Sequence, residues 1–365
     1  MRHLSSGIAG IVLIMLVPFT DLEFVWADPP TPFQTVVKPA TAESGPVVKL
    51  TGRFGSRYTA YDVADDAVFD LREMQWDARP EHPLSTAFSA GEQPQPPGNL
   101  TILGGLVDGR IPLDWSWSLT HAFSGSAFYT VARGKQTIDG ARIHNVQDGW
   151  RPRETPEFRP RAYPNTGSFV FRNCYVTGIR DDAIENDEFL PGSIEDCLFD
   201  GVHTFYSEQN ETVNGVRTLE LPTIGPKESP DVLVTRTLVR LDITSGGELG
   251  PGTLFKLHGY EAQNHRIVIT DCTFAASHKP RAGWKHFNFP KTTEFRGTNH
   301  VLWLGEGKFG GKVPEGITLV EGDDARQKWH VARNRWLVAH GYEARASDDL
   351  ATMRTPVIAP QREAR

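Results

Sequence analysis

Phe169 to Gly178 reads FVFRNCYVTG, and Ser193 to Gly201 reads SIEDCLFDG. Aligned at Phe171 and Ile194, the two stretches repeat one pattern. An apolar residue is followed three positions on by a small residue, and two beyond that by a second apolar residue (Phe171, Cys174, Val176; Ile194, Cys197, Phe199). The same offsets recur at Ile102, Gly105 and Val107, and at Ile138, Ala141 and Ile143. Val234, Thr237 and Val239, then Ile269, Cys272 and Phe274, complete the set. The leading residues of these copies follow one another at steps of 36, 33, 23, 40 and 35. Alternation with a period of two places the apolar pair on one face of short strands. Units that return at such intervals and cannot bury their own apolar face predict a solenoid of stacked coils. The shortest step, 23, suits one coil, and the longer steps leave room for loops. All three cysteines fall in this pattern's small-residue column, where they read as buried fillers; a Cys174–Cys197 disulfide is the alternative.

Composition narrows the rest. A formal charge of -7 argues against a nucleic-acid partner, which calls for a basic face. Arg2 and His3 precede an apolar run from Ile8 to Phe19, and Val25-Trp26-Ala27 offers a small-residue cleavage site. Residues 1–27 are therefore expected to be a signal peptide, and the mature chain to be secreted or periplasmic, with no membrane contact after cleavage. The Pro- and Thr-containing stretch 28–46 is expected to be a flexible leader. Residues 47–98 are assigned to an N-terminal cap and first turns, and 99–310 to the stacked strands. A C-terminal segment, 311–343, carries a helix over Asp323 to His340, capped by Asp323 or Asp324, with Trp329, Ala332 and Trp336 on one face and Gly341 as its stop. That helix is expected to cover an open end or side of the stack, and 344–365 to be a disordered tail. The chain has no CxxC, HExxH or GxSxG motif and no phosphate-cradling glycine loop.

Taken together, the repeats resemble those of pectin-lyase-like proteins. The resemblance implies an all-β fold, a right-handed parallel β-helix, here with a C-terminal capping helix and expected to be a monomer. It directs attention to Gly178 to Asp187, GIRDDAIEND, which holds four carboxylates in ten residues. Coils stack at the strand-pairing distance of about 4.8 Å, so residues distant in sequence become neighbours. Counting seven residues on from Ala141, Cys174 and Cys197 reaches Asp148, Asp181 and Thr204, with Asp182 and His203 beside them. These residues are expected on one edge of three successive coils.

In order and spacing, these motifs resemble those of polygalacturonases. Where that family has Asn-Thr-Asp-Gly, Asp-Asp, Gly-His-Gly and Arg-Ile-Lys, this chain has Val146-Gln147-Asp148-Gly149, Asp181-Asp182, Gly201-Val202-His203 and Leu254-Phe255-Lys256. Leu254 stands in place of the arginine that helps the family hold a uronate carboxylate. The resemblance implies a polysaccharide glycoside hydrolase of the inverting kind. Asp181 would be the general acid, and Asp148 and Asp182 would hold and deprotonate water. Glu185, His203, Lys256 and His258 are the candidate substrate-binding residues.

Two other readings stay open. A Ca²⁺-dependent polysaccharide lyase would use Asp148, Asp181, Asp182 and Glu185 as ligands and Lys256 as base, with Arg180 or Arg240 as substitutes for the missing arginine. A non-catalytic glycan-binding or adhesive solenoid would use Trp150, Tyr206, Trp284 or Phe287 as stacking platforms, with the acids as turn caps. Hydrolysis without a cofactor is the preferred expectation.

Overall fold

The repeat positions stack upon one another. Ile102, Ile138, Phe171, Ile194, Val234 and Ile269 are consecutive partners in parallel pairing. Val107, Ile143, Val176, Phe199, Val239 and Phe274 form the companion column. All twelve are fully buried. The computed structural model describes residues 47–346 apart from 56, 78–85, 112–114, 124, 155–166, 209–211, 214–215, 218–231, 243–251, 258–265 and 279–284. The expected signal peptide, leader and most of the expected tail lie outside the described residues, as do His258 and Trp284.

Among the described residues, 22 strands join through parallel pairings, and one short antiparallel pair, Thr212–Val213 with Val216–Arg217, stands apart. The chain is a parallel β-helix. Each coil passes through a first strand such as Ser168–Arg172 and a second that opens Tyr175–Glu185. Its third strand is the end of that same segment, which pairs with Asp148–Arg153 on one side and Leu198–Glu208 on the other.

The corner between first and second strands explains the three-then-two spacing. Gly104, Gly140, Asn173, Asp196, Arg236 and Asp271 occupy one column, each with φ between 47° and 76°. That left-handed residue turns the chain, and the next one points into the crowded corner. Gly105, Ala141, Cys174, Cys197, Thr237 and Cys272 are the small residues found there. The three cysteines are free and buried, as the filler reading requires. Burial pushes the thiols of Cys197 and Cys272 up, the latter to about 12.

Further coils lie on either side of the six, hidden by longer corners. Phe69 pairs with Ile102 and Trp76 with Val107, yet seven residues separate Phe69 from Trp76 where five separate Ile102 from Val107. Phe295 and Val301 continue the two columns beyond Ile269 and Phe274, six residues apart.

The C-terminal helix, Gly322–Ala339, lies along a flank. Ala325, Trp329, Trp336 and Leu337 bury themselves against Tyr175, Leu198, Ala275 and Leu302, with Leu238 of the strand between packed against the same cluster. Arg326 donates to the Leu304 carbonyl near one end, and the Trp336 indole donates to Asp196 near the other. The helix therefore runs back across several coils. Its 18 residues span about 27 Å at about 1.5 Å per residue, enough for five steps of about 4.8 Å. Glu321 is the N-cap and makes no side-chain cap bond. Asp323, expected to cap, instead accepts from Arg326, and both acids of the first turn sit where the helix dipole favours negative charge. Gly341, at φ 80°, does end the helix. Tyr342 N–H closes back on the Leu337 carbonyl at 2.9 Å, a Schellman closure.

Phe199 packs against Phe171 and Phe205 with no exposure, so Phe199→Ala is expected to cost about 3–5 kcal/mol. Asn173→Val, which forces a β-branched residue into the left-handed corner, is expected to cost roughly 1–3 kcal/mol. Urea midpoints of the purified chain check both; an unshifted midpoint for Phe199→Ala would contradict the stacked core.

Candidate active site

The edge between second and third strands is where the register slips. Ile179 pairs with Val202 and Asp182 with Thr204, so Arg180 and Asp181 together oppose the single residue His203. One extra residue in a strand is a β-bulge. In an unbroken strand, neighbouring Asp181 and Asp182 would point to opposite faces. Here an oxygen of each lies within 4.8 Å of the other and of an Asp148 oxygen. The bulge also disturbs the backbone ladder. Asp181 N–H donates to the Gln147 carbonyl at 3.0 Å, and Asp182 N–H is left to the side chain of Asp148, whose Oδ1 accepts it at 3.2 Å. Asp148 therefore supports the strand beside it as well as joining the cluster. Gly149 follows it because a Cβ there would lie 2.3 Å from the Ala183 carbonyl oxygen.

The three carboxylates are buried, Asp182 almost completely at 1% exposure. Burial, then the charges of Glu185 and Asp181, push the Asp148 carboxyl well above its ordinary range. Burial and the Asp182 charge push Asp181 up to about 7, against the pull of Lys256. The Lys256 ammonium lies 2.8 Å from Asp182 Oδ2 and 3.4 Å from Asp181 Oδ1. Burial opposes its charge, but Asp182 and Asp181 outweigh burial and the ammonium holds its proton more tightly than usual.

The remaining expected residues border this centre. Glu185 pairs with Arg151 at 2.8 Å, and Arg151 reaches Asp187 at 3.3 Å. His203, on the next coil, places Nδ1 3.2 Å from Thr204 Oγ1. Arg151 was missed by motif comparison. It stands three residues after Asp148 as Glu185 stands three after Asp182, so the register that stacks the acids stacks this ion pair as well.

Several other expectations are corrected. Trp150 and Tyr206 are fully buried and Phe287 is nearly so, which removes them as sugar platforms. Trp150 stacks on Phe171 and donates its indole N–H to Thr130; Tyr206 donates its hydroxyl to Glu208. Arg180 turns to Asn145 Oδ1 and the Ile111 carbonyl, and Arg240 pairs with Asp200 and Asp242 under the flank helix. Neither replaces the arginine that Leu254 lacks, and Leu254 itself is in the core. As for a metal, Ca²⁺ takes six to eight oxygens. Asp148, Asp181 and Asp182 offer a start, but the Lys256 ammonium lies against two of them, where it would repel a divalent ion. The set as arranged does not fit Ca²⁺.

No model of a protein family matches this sequence, and no curated protein matches it. The fold and the cluster thus define the class: a parallel β-helix with a buried aspartate group at one edge of its coils.

The raised carboxyls link stability to pH. A carboxyl whose folded-state pKa lies above its unfolded value of about 3.9 binds more protons when folded, so stability falls as pH rises through that window. The melting temperature is expected to fall as pH rises from about 4 to about 7, and Asp148→Asn to flatten that fall. Each group contributes at most about 1.4 kcal/mol per pH unit. Calorimetric scans across the range would contradict this if the variant kept the full wild-type slope.

Proposed function

We propose that this chain is an exported carbohydrate-active protein that hydrolyses a glycosidic bond in a polysaccharide. The observation that carries the reading is the meeting of Asp148, Asp181 and Asp182 within 4.8 Å, with Asp181 poised near neutrality. Glycoside cleavage needs a protonated acid beside an ionised carboxylate, and environments that push neighbouring carboxyls apart supply both.

Asp181 is the general acid. Its proton passes to the leaving glycosidic oxygen as the bond to the anomeric carbon breaks. Asp182 is the base: it orients a water and takes its proton as the oxygen joins that carbon. Lys256, 2.8 Å from Asp182 Oδ2 and 3.4 Å from Asp181 Oδ1, sets a positive charge beside both carboxylates and can donate to a sugar oxygen. Asp148, itself pushed towards its protonated form, restrains the Asp182 backbone by accepting its N–H. The spacing of the oxygens is tighter than the roughly 6.5–9.5 Å typical between the carboxyl groups of inverting enzymes, so the anomer released is a quantity to measure.

Lysine as a lyase base is disfavoured because a base must give up its proton, and Lys256 holds its own more tightly than usual. A purely structural cluster is the second reading, favoured by the bond from Asp182 N–H to Asp148. Export rests on the sequence of residues 1–27, which lie outside the described residues. No helix among the described residues is long and apolar enough to cross a membrane.

A screen on plant, algal and bacterial polysaccharides is expected to release reducing ends without the ultraviolet absorbance of an unsaturated product, and chelator is expected to have no effect. Asp181→Asn is expected to lower kcat/KM by about 10²–10⁴-fold. Wild-type kcat/KM is expected to fall as pH rises past about 7, because Asp181 must be protonated to act. A folded Asp181→Asn protein with full activity, or a panel left uncut, removes the hydrolytic reading.

A further inference from the structure

We infer that the aspartate cluster takes an uncharged, hydroxyl-rich glycan and rejects a uronate. This inference rests on the site proposed above and specifies its substrate class. Its first support is an orphaned acceptor. Asp182 Oδ1 is buried and has no hydrogen-bond partner among the described residues. Buried polar atoms are almost always satisfied, so this oxygen is left for a donor brought by the ligand. A ring hydroxyl can donate to it, whereas the ionised carboxylate of a uronate only accepts, so this oxygen calls for a hydroxyl and gives a carboxylate nothing; the choice between neutral sugar and uronate then falls to charge.

Charge supplies the second support. Lys256 directs two of its N–H donors to Asp182 and Asp181. Arg151 lies between Glu185 and Asp187. Arg180 faces Asn145 and Ile111, and Arg240 is paired with Asp200 and Asp242. Each of these four cations already faces an acceptor or an anion, and Lys256 keeps a donor to spare. A uronate would bring a further negative charge beside Asp182 and Glu185 in a buried site, where like charges repel strongly. A neutral ring meets no such repulsion, and its hydroxyls can serve the orphaned oxygen of Asp182 and the remaining donor of Lys256.

The test uses pairs of polymers that share backbone and linkage. Each pair is a neutral polysaccharide and its C6-oxidised form, which carries a carboxylate on the sugar. Wild-type full-length protein is run by affinity electrophoresis through gels holding either polymer, and cleavage is read separately from reducing ends. At least one neutral polymer is expected to be bound tenfold or more tighter than its oxidised partner. Asp182→Asn, which removes a charge and loosens Lys256, is expected to narrow that preference at least threefold. Oxidised polymers bound or cleaved in preference would overturn the inference while leaving hydrolysis in place. Neutral polymers bound but uncut would support the inference and remove the hydrolytic reading. Binding of neither form across the panel, or an unchanged preference in folded Asp182→Asn, would also overturn it.

Discussion

Backbone pairing between coils is the constraint on which everything else in this protein depends. A parallel ladder fixes each residue over its counterpart about 4.8 Å away, whatever the length of the loop between them. Apolar residues under that rule become continuous columns. Charged residues become stacks of like or unlike charge, and the backbone gives them little freedom to separate. Arg151 beneath Glu185 is the comfortable outcome. Asp148 beneath Asp182 is the uncomfortable one, and the bulge that adds Asp181 to the same side sharpens it.

The cluster persists because the fold over-determines it. Asp148 is tied to the Asp182 backbone, and Gly149 presses against Ala183. Lys256 reaches back from a strand two coils away to lie between two of the acids. Protons retained by Asp148 and Asp181 relieve the remaining repulsion. The structure therefore holds ionisable groups at the edge of changing state, which is the condition acid–base chemistry requires.

Much of the fold was legible because the coil corner has a sequence signature. A left-handed residue followed by a small one, flanked by apolar anchors, gives offsets that do not drift from Ile102 to Phe274. The coil of Phe69 and Trp76, expected only as first turns within 47–98, escaped the repeat for the same reason, since its corner is two residues longer and breaks the offsets. At the site, counting from the anchors placed Asp148, Asp181 and Asp182 near one another, as they lie in the structure, but in the wrong register. It stacked Asp181 on Asp148, whereas the ladder puts Asp182 opposite Thr204 and makes Asp181 one of the extra pair. A bulge between polar residues leaves no trace in an apolar pattern. The aromatic residues failed differently. Trp150 and Tyr206 sit on strands whose inward faces need large fillers, and composition alone does not tell a filler from a platform.

The helix that returns along the flank has a consequence for the order in which the molecule can be completed. A solenoid ordinarily couples only neighbours, so early coils can settle while later ones are still being made. Tyr175 and Leu198, however, find their cover in Trp336, Leu337 and Tyr342, which are synthesised more than a hundred residues later. Until that segment arrives, the outward faces of the middle coils remain uncovered apolar surface. Loss of the last turns of the chain would thus be felt in coils far upstream, and a repeat built for local assembly is made to finish as a single unit.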